Sequence, residues 1–427
     1  MQITIPELPV PRLAEARLRR LLEVTGAVVV EGPKWCGKTW LARTLSRSEV
    51  LLQDPTGNYR NRRMAVDDPI ALLAGEKPRL LDEWQDAPGL WDAVRIQVDR
   101  QPGSGQFILT GSTTPREGLV AHSGTGRMSR LRLWTMSSTE TGLSTGTISL
   151  NALFDGEQVP AVAGQATPGT LIRAIIRGGW PGALRRSDAD AAELARQYLL
   201  GVIHSEASRS DGMARDPSKL AALLASLARN SATTVTNATL GRDMATTSGV
   251  TASAKTITEY LGVLGRLFTV VEIPAWSPAL RSPVRLREQP KRMLVDPSLA
   301  VAALNADEES LAADPKTLGF LFESMCLRDL EVYGGTIGAT VSHYRDNSGL
   351  EVDAILAKPS GDWAGVEIKW SGSAVDAAAA TLLRLRDKML AGGEKAPAFL
   401  MVLVGVGEFA HVRPDTVVVA PVDLLGI

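Results

Sequence analysis

The run Gly32-Pro33-Lys34-Trp35-Cys36-Gly37-Lys38-Thr39 sets two glycines around four intervening residues and follows them with lysine and threonine. Glycines in such a loop let backbone N–H groups close around phosphate oxygens. Lys38 would reach the β- and γ-phosphates, and Thr39 would ligate Mg²⁺ through its hydroxyl. The expected cofactors are therefore ATP and Mg²⁺, and the expected nucleotide-binding set runs from Gly32 to Trp40. The setting supports this, because the apolar stretch Ala27–Glu31 precedes the loop and a helical stretch follows it. The bland alternative is a chance match in a Gly-rich turn. Cys36, inside the loop, is expected to be a small filler.

Two acids stand where such a loop needs them. Arg79-Leu80-Leu81-Asp82-Glu83-Trp84-Gln85 reads as an apolar strand ending in Asp82 and Glu83. Asp82 is placed to hold the Mg²⁺ shell, and Glu83 to polarise an attacking water. Alone the pair could be an ordinary solvated turn. After a phosphate loop, Lys38 and Glu83 become the expected catalytic residues, and Glu83 favours hydrolysis over transfer to a metabolite. In Phe107–Ser112, either Ser112 or Thr110 could sense the γ-phosphate or merely cap the strand. Arg127, in Gly124–Arg130, is either a finger completing a neighbouring copy's site or a solvated loop arginine.

A second group of charged residues lies near the other end. Gly349–Leu356 and Gly365–Trp370 read as strands joined by a turn over Lys358–Asp362. Residues two apart share a strand face, so Glu351 goes with Asp353 and Glu367 with Lys369. Symmetry about Ser360 would set Asp353 opposite Glu367. Like charges across a ladder destabilise it unless a cation or a lysine compensates. The spacing of Asp353, Glu367 and Lys369, with Glu323 on an upstream helix, resembles the restriction-endonuclease-like fold. That resemblance implies Mg²⁺ held by Glu323, Asp353 and Glu367. It also gives Asp353, Glu367 and Lys369 catalytic roles, the lysine steadying a water that attacks a phosphodiester. A hairpin with one polar, solvent-facing side is the alternative, as is a scaffold without catalysis.

The elements that must position these residues suggest an α/β chain of several units. At 427 residues the chain exceeds one ordinary core, and 44% hydrophobic residues suffice for several. Residues 1–135 alternate short strands with helices, as a parallel P-loop (AAA/RecA-like) sheet would. Its strands are expected at Ala27–Glu31, Val50–Leu52, Arg79–Asp82, Gln106–Thr110 and Leu131–Trp134. Residues 136–210 read as a connection and helical lid, with a break at Gly178-Gly179-Trp180-Pro181-Gly182. Residues 211–295 read as helix, helix, helix, strand, the order of a winged-helix domain, although a helical bundle fits nearly as well. Residues 296–427 form the second α/β unit.

Taken together, Gly32–Thr39, Leu81–Gln85, Phe107–Ser112 and the Gly178–Pro181 element resemble the AAA-type ATPases of prokaryotes that carry a C-terminal domain of unknown function. The resemblance runs along nearly the whole chain. It implies an ATPase core, a helical and winged-helix-like middle and a nuclease-like end.

Charge and composition bound the partners. Lys+Arg 46 against Asp+Glu 47 gives a net charge of -1, so no global field draws the chain to nucleic acid. A local basic stretch remains, comprising Lys255, Arg266, Arg281, Arg285, Arg287, Lys291 and Arg292. It is expected to contact DNA phosphates or to be a solvated face. Two cysteines and four scattered histidines argue against a disulfide scaffold and a zinc site. No apolar run approaches a membrane span and the start does not read as a signal peptide, so the expected location is the cytoplasm. A homo-oligomer or a protein partner stays open. The two functional readings are an ATPase governing a DNA-directed, nuclease-like unit, and an ATP-dependent switch whose nuclease-like unit is inert.

Overall fold

The computed structural model describes residues 10–114, 123–207, 212–278 and 289–427. Near the N-terminus five strands form one parallel sheet in the order β2-β3-β4-β1-β5. They are β1 (Ala27–Glu31), β2 (Ser48–Leu51), β3 (Arg79–Asp82), β4 (Phe107–Gly111) and β5 (Met128–Arg132). Four of the five expected strands agree within two residues at each end. The last begins three residues early and ends at Arg132, although Leu133 N–H still donates to Glu31 O of β1 at 2.7 Å. A near-continuous apolar run such as Ala27–Val30 suits a central strand covered on both faces. Alternation divides it: Val28 and Val30 pack with Leu18, Leu21 and Leu22 of the helix Ala14–Val24. Ala27 and Val29 pack with Trp84, Leu90, Trp91 and Val94 on the other side.

The polar stretch after this sheet is not a free lid. A short helix, Ser138–Thr141, is closed by a capping box between Ser137 and Glu140. Strand β6 (Ile148–Ser149) then pairs in parallel with a strand at Leu425–Gly426. The buried carboxylate of Asp423 accepts the N–H groups of Gln165 at 2.6 Å and Ala166 at 2.9 Å.

The middle of the chain is helical. Pro168–Arg177 and Asp188–Gly201 flank the Gly178–Gly182 break, and Pro217–Arg229, Asn237–Ser248 and Ala254–Arg266 follow. Asp216, Thr236 and Ser253 cap the last three by accepting first-turn N–H groups. An antiparallel ribbon comes next, β7 (Val270–Ile273) paired with β8 (Lys291–Leu294). The helix Pro297–Leu304 packs back on the middle helices, so the boundary expected at residue 296 does not separate it from them.

The remaining unit is a six-stranded mixed sheet. Strands β9 (Thr340–Arg345), β10 (Glu351–Ala357) and β11 (Trp363–Ser371) run antiparallel; β12 (Phe399–Val406) and β14 (Val418–Pro421) are parallel to β11. β13 (His411–Val412) closes one edge, and Leu425–Gly426 is β15. Helix Val375–Ala391 covers one face, with Ala379, Leu382 and Leu385 against Val352, Ile355 and Val402. On the other face the long helix Pro315–Ile337 joins a core continuous with the middle helices. Among the described residues, no helix is long and apolar enough to cross a membrane.

Replacing Asp423 by alanine removes the charged acceptor of two part-buried N–H groups. We expect a loss of about 1–3 kcal/mol, read as a lower urea midpoint at unchanged slope. An unmoved midpoint would mean that water satisfies Gln165 and Ala166 equally well.

Candidate nucleotide site and C-terminal charge cluster

Because β1, β3 and β4 are parallel, their ends deliver Gly32, Glu83 and Ser112 to one edge of the sheet. The loop turns into the short helix Lys38–Arg43 at Gly37, whose φ is 100°. A side chain at Gly37 would be strained there and would also approach Arg12 Nη1 at 3.2 Å. Lys38 is buried, and its ammonium donates to the carbonyl oxygens of Gly32 at 3.1 Å and Pro33 at 2.9 Å. Asp82 Oδ1 accepts from the hydroxyls of Thr39 at 2.8 Å and Thr110 at 2.6 Å. Burial pushes the Asp82 carboxyl above its ordinary value, against the pull of those two hydrogen bonds. Mg²⁺ is usually held by one or two protein oxygens plus phosphates and water. Thr39 and Asp82, joined by one hydrogen bond, fit that requirement. Among the described residues no group of three or more His, Cys, Asp or Glu gathers to form an all-protein metal cage.

Glu83 adopts a left-handed backbone, φ 57°, which is uncommon for a residue with a side chain. Its N–H donates to Thr110 Oγ1 at 3.1 Å, while its carboxylate accepts from Ser112 Oγ at 2.8 Å and from Gln85 Nε2. Thr110 and Ser112 are therefore not interchangeable: Thr110 bridges the two acids, and Ser112 steadies the Glu83 carboxylate. Gln85 belongs to the same arrangement and was not singled out in the sequence, although it stands two residues beyond Glu83. A cavity of about 520 Å³ opens here, lined by Lys38, Thr39, Asp82 and Glu83 and rimmed by Lys34, Trp35, Trp40, Pro181 and Gly182. Both tryptophan rings are exposed. Cys36 is fully buried and burial pushes its thiol up, as suits a filler.

Arg12 is a part the sequence reading missed. It is buried and donates to Cys36 O at 2.6 Å, Trp134 O at 2.9 Å and Glu140 Oε1 at 2.9 Å. It thus ties the phosphate loop to the segment leaving the sheet. Arg127 stands before β5, at the opposite end of the sheet from the phosphate loop, and pairs with Asp99 at 2.8 Å. It takes no part in the site of its own chain.

At the other end of the chain, β10 and β11 pair from Ala354↔Val366 to Ala357↔Trp363, the register symmetric about Ser360. Asp353 and Glu367 lie one step beyond this pairing, and a bulge between Val352 and Ile355 disturbs the opposite ladder. The expected acids do converge. The ammonium of Lys369 lies 3.0 Å from Asp353 and 2.5 Å from Glu367. A second lysine, Lys291 of β8, is 2.7 Å from Glu323, 3.3 Å from Asp353 and 3.7 Å from Glu351. Burial raises Glu323 and Glu367 above their ordinary values, and the Asp353 charge adds to both shifts. Burial works the same way on Asp353, but Lys291, Lys369 and the Ile368 N–H hold it below its ordinary value. The carboxylates of the expected metal set Glu323, Asp353 and Glu367 are each paired with an ammonium, of Lys291 or Lys369.

Lys291 was expected on a DNA-facing stretch, and this is corrected: it is buried, and so is Arg292, which donates to Glu272 at 2.8 Å and Asn237 at 2.8 Å. The carbonyl of Arg266 accepts Thr114 N–H at 3.0 Å, which docks that helix end on the N-terminal sheet. Lys255 is exposed beside Glu259. Arg281, Arg285 and Arg287 lie outside the described residues.

Comparison with known proteins follows this division. Residues 25–142 match a family described as AAA domain, residues 169–310 a domain of unknown function (DUF8612) and residues 318–425 a domain of unknown function (DUF4143). The N-terminal region is thus that of a P-loop, AAA-type ATPase. Over 415 residues the chain is 25% identical to Uncharacterized protein Mb2031c of Mycobacterium bovis and to Uncharacterized protein Rv2008c of Mycobacterium tuberculosis. Each alignment covers 96% of this chain and 83% of the relative.

Arg12→Met would leave the buried Glu140 without its cation, held only by the Leu13 N–H and by Ser137. The expected cost is about 3–5 kcal/mol in urea denaturation, accompanied by weaker ATP binding. An unchanged midpoint would count against Arg12 as the clamp of the loop.

Proposed function

We propose that this protein is a Mg²⁺-dependent ATPase whose nucleotide state controls the C-terminal unit. In this reading Lys38 balances the β- and γ-phosphate charge, while Thr39 and Asp82 hold the metal. Bound there, Mg²⁺ would offset charge developing on the phosphate oxygens. Glu83 accepts a proton from the attacking water as the bond from the γ-phosphorus to the bridging oxygen breaks. Ser112 and Gln85 keep its carboxylate aimed. Trp35 and Trp40 offer flat apolar faces at the rim.

Control of the C-terminal unit is supported by one chain of contacts. Pro181 and Gly182 line the nucleotide cavity. Two residues earlier, Gly179 N–H donates to Asp296 at 2.9 Å, and Gly179 O accepts Met136 N–H at 2.6 Å. A Cβ on Gly179 would lie 2.1 Å from Met136 O, so this approach requires glycine. Asp296 in turn accepts from Arg328 at 3.2 Å, on the long helix that also carries Glu323. A turn shifted by phosphate would push on that helix without an intervening flexible segment.

A DNA-directed, Mg²⁺-dependent nuclease is the second reading, favoured by the meeting of Asp353, Glu367 and Lys369 on adjacent strands.

Lys38→Ala should abolish ATP turnover, and Glu83→Gln should lower it by about 10²–10⁴-fold while ATP still binds. Phosphate release and equilibrium binding measure the two effects; undiminished turnover in Lys38→Ala would overturn the site. Incubation with plasmid, Mg²⁺ and ATP separates the two readings. The switch predicts no cleavage by wild type or by Asp353→Ala, whereas cleavage by wild type alone establishes the nuclease.

A further inference from the structure

Lys291 is the least expected charge in the molecule. It begins β8, opposite Ile273 of β7. The ribbon is docked on the C-terminal sheet, since Trp276 N–H donates to His343 O at 2.7 Å and His343 N–H donates to Pro274 O at 2.9 Å. From there the lysine reaches Glu323, Asp353 and Glu351, with its side chain only 2% exposed. An ammonium has three hydrogens to give, and three carboxylates surround it. The other Asp353 oxygen is taken by Lys369 at 3.0 Å and by Ile368 N–H at 2.9 Å. Lys369 also holds Glu367.

A divalent ion does not fit this arrangement. Mg²⁺ needs close oxygen contacts at about 2.0–2.1 Å, and Lys291 already occupies the Glu323 and Asp353 oxygens that face each other here. We propose that Lys291 is a built-in counter-ion that closes the C-terminal acids to divalent metal for as long as the β7–β8 ribbon is docked. The lysine comes from the region matched over residues 169–310 and its acids from the region over 318–425, so the closure joins the two. Withdrawing β8 leaves Glu323, Glu351 and Asp353 together, with Lys369 beside Asp353 and Arg345 beside Glu351 as the remaining compensation among the described residues. The same acids then attract a cation. The inference does not depend on ATP hydrolysis, because the contacts lie away from the phosphate loop.

The test is a titration of nucleotide-free protein with Mn²⁺, followed by electron paramagnetic resonance. Wild type should show no Mn²⁺ that depends on Glu323. Lys291→Met should gain one ion, bound roughly tenfold or more tightly than any in wild type. Lys291→Met/Glu323→Gln should lose it again. A wild-type ion that Glu323→Gln removes, or Lys291→Met binding no better than wild type, overturns the proposal. Because the lone substitution can unfold the chain, its melting is compared with and without Mn²⁺, with the double variant as a folded reference. Recovery of the melting temperature by Mn²⁺ supports the proposal. A Lys291→Met chain that stays unfolded in Mn²⁺ beside a folded double variant overturns it, and so does a double variant that fails to fold.

Discussion

The guanidinium of Arg328 is the interaction on which the rest of the molecule depends. It is buried within the long C-terminal helix and binds Asp296 on one side and Asp329 on the other. Asp296 fixes Gly179 and, through its other oxygen, Ser298; Asp329 fixes the backbone and hydroxyl of Ser138. One side chain thus holds the turn that rims the nucleotide cavity, the exit from the parallel sheet and the helix bearing Glu323. Burial lowers the basicity of Arg328, but the two aspartates more than reverse this and raise it above its ordinary value. A buried pair of this kind need not exceed an apolar substitute in stability, yet losing one member costs several kcal/mol. Its contribution here is to relative position.

The nucleotide site was legible because it is local. Glycine spacing, a lysine, a threonine and two acids after an apolar strand each specify their place within a few residues. The hairpin register was legible for the same reason, since a short turn centred on Ser360 leaves little freedom. Arg12, Arg328 and Lys291 were not legible. Arg12 acts on Glu140, 128 residues away, and Lys291 on Asp353, 62 residues away. Neither sits in a repeating pattern, and each reads in one dimension as an ordinary surface cation. Lys291 was the more misleading, because it follows a run of arginines in sequence while its side chain turns inward.

The same contrast explains why net charge said so little. A balance near zero hides a small set of charges that is internal and matched in fixed pairs: Arg12 with Glu140, Arg328 with two aspartates, Lys291 and Lys369 with the C-terminal acids. Charges arranged in this way give orientation between units, which apolar contact alone defines poorly. They also remove these groups from the surface on which a partner would be sought.

The pairing of Ile148–Ser149 with Leu425–Gly426 has a consequence for synthesis. Every strand of the parallel sheet has been made by residue 132, so that sheet can form early. The stretch just after it must wait for residues made almost three hundred positions later. At about 5–20 residues per second this delay is on the order of tens of seconds. Until then Ile148 and Leu150, both buried in the finished protein, lack their cover, and the ATPase core is assembled before the parts it is proposed to control. A ribosome that stalls late would therefore release a phosphate-loop domain without the unit it is proposed to control.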